Sequence, residues 1–200
     1  PDDRERFREG DERLARGESI EEELRLVGPD GQERWVVDRA KPRRTADGRL
    51  FVDGILIDIT ERRESARQLL ETVALAGRPV EWGIVSDAAS VPNPAAHEAL
   101  ALLRTERLIR ARGTRRTDTV ETFHDRVREP VVANLSADER RAIHLHLARA
   151  FEQTGRDDAD ALATHWQGAG DAVRAAHHAI EAGDRAARAL AFDRAVRFYQ

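Results

Sequence analysis

Between residues 50 and 76 the hydrophobic period changes from two to about three and a half, with no Gly or Pro between Ile55 and Ala76. "LFVDGILIDI" is apolar and β-branched, whereas "ERRESARQLLETVALA" is charged and sets Leu69, Leu70, Val73 and Ala76 at helical spacing. A sheet therefore runs directly into a helix, and the fold has to be organised around that junction. Gly77 offers that helix a C-cap, and Pro79 is placed to start another at its first turn.

Upstream, "DDRERFREGDERLARG" predicts a helix with Asp2 and Asp3 as N-caps and Gly17 as its stop. Phe7 and Leu14 lie seven apart on one face, so it buries only a narrow stripe. "SIEEELRLV" alternates, with Ile20, Glu22, Leu24 and Leu26 on one side, which predicts a half-buried strand. "ERWVVDRAKPR" predicts a second strand with Trp35 and Val37 on one face and Trp35 as a core residue. The turns "GPDGQ" and "TADGR" at this spacing make the three strands an antiparallel meander.

Composition limits what the chain can do. It has no cysteine, which excludes disulfides, thiolate chemistry and cysteine-ligated zinc. No apolar run reaches the ~18 residues of a membrane span, and no signal peptide opens the chain, so no membrane association and a cytoplasmic location are expected. The chain starts at Pro1 without a methionine anywhere, as a piece cut from a longer protein would. Arginine and alanine are heavily used and Lys41 is the only lysine, a bias that suggests a high-GC bacterial genome. The net charge is -4; residues 1–65 hold 18 acidic against 14 basic side chains, and the remainder is balanced. Neither part has the basic excess of a nucleic-acid footprint.

The stretch "EEELRLVGPDGQERWVVDRAKPRRTADGRLFVDGILIDITERR" resembles the C-terminal half of a PAS sensor domain. The resemblance rests on the "PDG…RWV" hairpin, the "DG" turn and the closing "G-x-x-x-DIT-x-R". It implies a sheet that backs a ligand pocket. It also implies that Asp58, Ile59 and Thr60 couple the last strand to an outgoing signalling helix, residues 61–76. The two strands and short helices that precede this half in the family are missing, which leaves an open pocket and an unpaired strand edge.

Past Gly77 the chain reads as mainly helical. "VEWGIVSDAA" and "AAHEALALLRTERLI" are short amphipathic helices, and "LIRAR" and "TVETF" flank a polar Gly-containing stretch as a β-hairpin. "HDRVREPVVANL" resumes a helix that Pro130 should kink or end, and Ser136 with Glu139 has capping-box spacing for the next. From there on, "DADALATHWQGAG", "DAVRAAHHAIEAGDRAARAL" and "AFDRAVRFYQ" read as Ala-rich helical hairpins, which need stacked neighbours to bury a continuous core.

Residues 69–200 resemble, as an ordered series of segments, the region that follows the ATPase module in bacterial STAND-type regulators, which are often fused to serine/threonine kinases. That resemblance implies a winged helix leading into tetratricopeptide-like repeats, with protein partners bound by the repeats. It likens "FHD" at 123–125 to the MHD-type motif, which makes His124 a nucleotide sensor whose ring N–H faces an ADP phosphate and Asp125 the cap of the next helix. No G-x-x-x-x-G-K-[ST] is present, so this chain holds no cofactor by itself and ADP or ATP would need a separate nucleotide-binding domain.

Other constellations point less far. Arg110, Arg112, Arg115 and Arg116 sit on the expected wing and suit phosphate contacts to DNA, but a solvated hairpin tip is the favoured reading. His144 and His146, like His177 and His178, are spaced to diverge around a helix rather than share a metal, so no metal site is expected. No nucleophile–base or kinase signature appears and no catalytic residue is assigned. The expected architecture is α+β, a three-stranded antiparallel PAS-like half-sheet (residues 1–65), then a winged-helix-like domain (66–135) and helical repeats (136–200). The expected role is a non-catalytic signalling fragment that works by protein contact, with homodimer formation through helix 61–76. The alternative is a transcription regulator that binds DNA through the winged helix.

Overall fold

The computed structural model describes residues 3–156, 158–189 and 191–199. The proposed Asp2 cap lies outside them. The chain divides into two compact units, residues 1–64 and 65–200.

In the first unit, helix α1 (Asp3–Ala15) precedes strands β1 (Ile20–Val27), β2 (Glu33–Arg44) and β3 (Leu50–Asp58). The strands form an antiparallel meander in that order, with Leu24 opposite Val36, Ile20 opposite Ala40 and Ala40 opposite Gly54. The period-2 pattern of β1 is realised: Ile20 and Leu24 are buried, and Glu21 and Glu23 are exposed. Helix α1 covers that face with Leu14 and Gly10, whereas Phe7 stays 45% exposed. Gly54 suits a crowded position, because a Cβ there would lie 3.2 Å from both Ala40 Cβ and the Arg39 carbonyl oxygen, a tight contact on each side. Every residue of β3 is exposed, including Phe51, Val52, Ile55 and Leu56. Among the described residues its outer edge pairs with no strand.

Trp35 is not a core residue. It is half-buried, on the face opposite Val36, and two guanidiniums lie over its ring, Arg25 at 5.5 Å and Arg63 at 3.8 Å. The alternation of β2 gives the covered face to Val36 and Ala40, so an aromatic at 35 finds cations instead of a packed interior.

Helix α2 (Thr60–Ala76) follows β3 after a single residue and crosses the boundary between the units at Glu64. In the second unit come β4 (Val80–Glu81), α3 (Trp82–Ala89), α4 (Asn93–Thr105), β5 (Ile109–Ala111), β6 (Thr119–Thr122) and α5 (Asp125–Asn134). These are followed by α6 (Ala137–Gln153), α7 (Ala159–Ala169), α8 (Ala172–Arg188) and α9 (Phe192–Tyr199).

The expected hairpin is β5–β6, but it belongs to a three-stranded antiparallel sheet of order β4-β6-β5. Pro79 does not restart a helix: Val80 pairs with Val120 and Glu81 with Thr119 before α3 begins at Trp82. Nor does Pro130 end α5, which runs on four residues to Asn134. The capping box is present, with Ser136 Oγ accepting from the Glu139 N–H and the Glu139 carboxylate accepting from the Ser136 N–H. One continuous core joins the sheet region to the helical hairpins. It includes Leu69 and Val73 of α2, Trp82 and Val85 of α3, Leu100 of α4, Val120 of β6, Leu147 and Phe151 of α6, and Trp166 of α7.

Candidate functional site

The first unit ends in a tightly bonded junction. Ile59 N–H donates to the Trp35 carbonyl at 2.8 Å, and Trp35 N–H donates to Thr60 Oγ1 at 2.9 Å. Residues 59 and 60 thus continue the β2–β3 ladder after β3 has ended. Thr60 N–H donates to Asp58 Oδ1 at 2.8 Å, and Arg63 N–H donates to the Ile59 carbonyl at 3.0 Å, the first turn of α2. The Thr60 N–H and hydroxyl hold the Asp58 carboxyl below the usual carboxylate range. Ile59 is 6% exposed and anchors the bend. Arg63 fixes the first turn from the other side, lying over Trp35 and pairing with Glu23 at 2.8 Å. Asp58, Ile59 and Thr60 are therefore hydrogen-bonded to one another, to Trp35 and to the first turn of α2 within residues 1–64.

The second unit holds a cavity of about 330 Å³ at the foot of α2. Arg78, Arg110, Arg128 and His124 line it, with Glu121 and Asp125. Three arginines and a histidine thus share the lining with two carboxylates. Each cation is held from behind. Arg128 Nε donates to the Ala74 carbonyl at 3.0 Å, in the buried last turn of α2 where carbonyls lack helical partners. Arg110 lies over the Phe123 ring at 4.5 Å. Arg78 pairs with Asp158, which at the same time accepts from the Ala161 N–H as the N-cap of α7.

His124 is the N-cap of α5, with its Nδ1 accepting the Arg126 N–H at 3.2 Å. That bond assigns the ring proton to Nε2, which is left as a donor. Asp125 does not cap the helix; it is the first helical residue, because the extended backbone of His124 (φ −158, ψ 154) places the imidazole where a cap has to be.

The four arginines of the hairpin do not act together. Arg110 lines the cavity with His124 and Asp125. Arg116 pairs with Asp87 at 2.6 Å, and its carbonyl accepts the Gly83 N–H. Arg115 N–H donates to Asp118 Oδ2 in the turn, and Arg112 follows the end of β5.

Two further features are not written in any local pattern. Arg78 and Arg128 reach the cavity from a loop and from α5, and nothing in their sequence neighbourhoods marks them. His165 is 1% exposed, stacks on Phe151 at 5.5 Å, and shares a hydrogen bond with His144, Nδ1 to Nδ1 at 3.0 Å. Burial first, then the neighbouring His144 and Arg78, pushes the His165 imidazole down to about 3, and burial also lowers His144. Both rings are neutral at physiological pH, one donating and the other accepting.

No helix among the described residues is long and apolar enough to cross a membrane. No curated protein and no solved structure is matched by the chain. The family model described as the PAS fold matches residues 1–56, so the first unit carries a PAS domain segment, a component of sensing and signalling proteins.

Proposed function

We propose that the chain is a non-catalytic signalling segment, in which the PAS-fold portion hands its state to helix α2 and the helical unit acts as a switch and interaction module. The junction at Asp58, Ile59 and Thr60 carries this reading. Its bonds make the first turn of α2 a continuation of the sheet ladder, so a shift in β2 or β3 has to be felt at the start of the helix.

The order helix–strand–helix–helix–strand–strand, with sheet order β4-β6-β5, supports a winged-helix reading of residues 66–135. The consecutive packing of α6 on α7, α7 on α8 and α8 on α9 supports tetratricopeptide-like repeats that bind protein partners. The grouping of His124 with Arg110 and Arg128 around one cavity supports its role as a phosphate sensor for a nucleotide held by a separate domain of a STAND-type ATPase or kinase regulator. DNA binding by the hairpin fits less well, since Arg110 turns into the cavity and Arg116 is neutralised by Asp87.

Hydrogen exchange of wild type against Thr60→Ala tests the coupling. Faster exchange in 50–59 together with residues 66–76 of α2 is expected. Faster exchange confined to the strands would refute a transmitting role for the junction.

A further inference from the structure

We infer that α8 carries a divalent transition-metal site built from His177, His178 and Glu181, and that zinc is a fitting occupant. At 100° per residue the first two side chains leave the helix 100° apart, and Glu181, four residues past His177, projects between them. The separation that makes two adjacent histidines look divergent is therefore bridged by the third residue. His177 Nε2 lies 3.4 Å from one Glu181 oxygen and His178 Nδ1 lies 3.1 Å from the other. The ring centroids are 5.2 Å apart, and one donor atom from each residue lies within 4.8 Å of the others.

Imidazole nitrogen and carboxylate oxygen bind zinc at roughly 2.0–2.2 Å in a tetrahedron, whose ligand atoms then stand about 3.3–3.5 Å apart. The two nitrogen–oxygen distances already lie near that edge. Each is to a different Glu181 oxygen, so the carboxylate has to turn one oxygen toward both rings as the nitrogen–nitrogen distance closes, and the His177 ring, with 69% of its side chain exposed, is free to turn. His178 is the opposite case: its side chain is 16% exposed, and it holds one ligand against the helix surface.

The nearest cation on the preceding turn does not compete for the carboxylate. Arg174 lies over the Trp166 ring at 4.3 Å and faces Asp171 at 3.4 Å. Two neutral imidazoles and one carboxylate give a net +1 complex with a coordination position open to water or to a group on a partner. Such a donor set suits zinc, nickel or copper and not calcium or magnesium, which take oxygen ligands.

The test is a zinc titration of the tag-free chain by calorimetry, with cobalt substitution followed by visible absorption. One zinc per chain, a tetrahedral cobalt spectrum and no response to calcium are expected. His177→Ala and Glu181→Gln should each weaken zinc binding about tenfold or more, since even an outer-shell partner is worth that much at metal sites. Both positions are solvent-accessible, and far-UV circular dichroism checks that the variants stay folded. Absence of zinc binding, or binding that neither variant weakens, would overturn the assignment and place any bound metal on the other histidines.

Discussion

The buried histidine pair of the helical unit makes its stability depend on pH in a window that the carboxylates do not share. His165 has a folded pKa of about 3 against an ordinary value of 6.5, so the fold holds the neutral ring and the unfolded chain takes up the proton first. The stability that depends on the neutral ring is complete above pH 6.5 and is lost as the pH falls below it. Between pH 6.5 and 5 a group that protonates only when unfolded costs 1.36 kcal/mol per unit, or about 2 kcal/mol from His165 alone. His144, lowered by burial as well, adds to this in the same direction.

Among the described residues, six carboxyls held below their usual range, Asp3, Glu18, Asp30, Asp47, Asp58 and Glu139, act in another window. Their contribution is present above their unfolded values of 3.8 to 4.5 and disappears only as the pH falls through the still lower folded values. Urea unfolding followed by far-UV circular dichroism, at about pH 7.5 and about pH 5, separates the two sets. Wild type should lose about 2 kcal/mol or more. His165→Gln keeps a hydrogen-bond partner for His144 and does not titrate, so its loss should fall below about 1 kcal/mol. An equal loss in the two proteins would refute the assignment of the acid sensitivity to this pair.

Three other changes follow from single contacts. Ser136→Ala removes the side chain that accepts the Glu139 N–H and should cost about 1 kcal/mol in the same urea assay. Arg128→Met takes a charged donor from the Ala74 carbonyl and one cation from the cavity. It should destabilise by about 2 kcal/mol, and a change under a few tenths would mean that the carbonyl is satisfied otherwise. Ile55→Lys on β3, where the side chain is 57% exposed, should leave the unfolding midpoint nearly unchanged and reduce concentration-dependent association measured by light scattering.

Elements whose partners lie nearby in the chain were legible in the sequence. The three-strand meander, the strand-to-helix junction and the Ser136–Glu139 box each depend on a spacing of a few residues, and each formed where that spacing put it. The departures come from partners that are distant. Val80 and Glu81 leave the helix that Pro79 was expected to start because strand 119–122 pairs with them, about forty residues away. Trp35 has the size of a core residue, but the helix that covers the sheet lies on the opposite face, which no local period reveals.

The cavity shows the same division within one site. His124 and Asp125 stood out because "FHD" resembles a known motif. Of the cations beside them, Arg110 stood out only as a hairpin arginine and Arg78 and Arg128 not at all, since Arg128 is placed by the carbonyl of Ala74, Arg78 by Asp158 at the start of α7, and Arg110 by the ring of Phe123 across the hairpin. An arginine-rich sequence such as this one holds many interchangeable cations, so their number does not distinguish a site. What distinguishes one is the backing group that fixes where each guanidinium points. The hairpin arginines illustrate the point: Arg110 and Arg116 are six residues apart and alike in sequence context, yet an aromatic ring turns one into the cavity and a carboxylate retires the other.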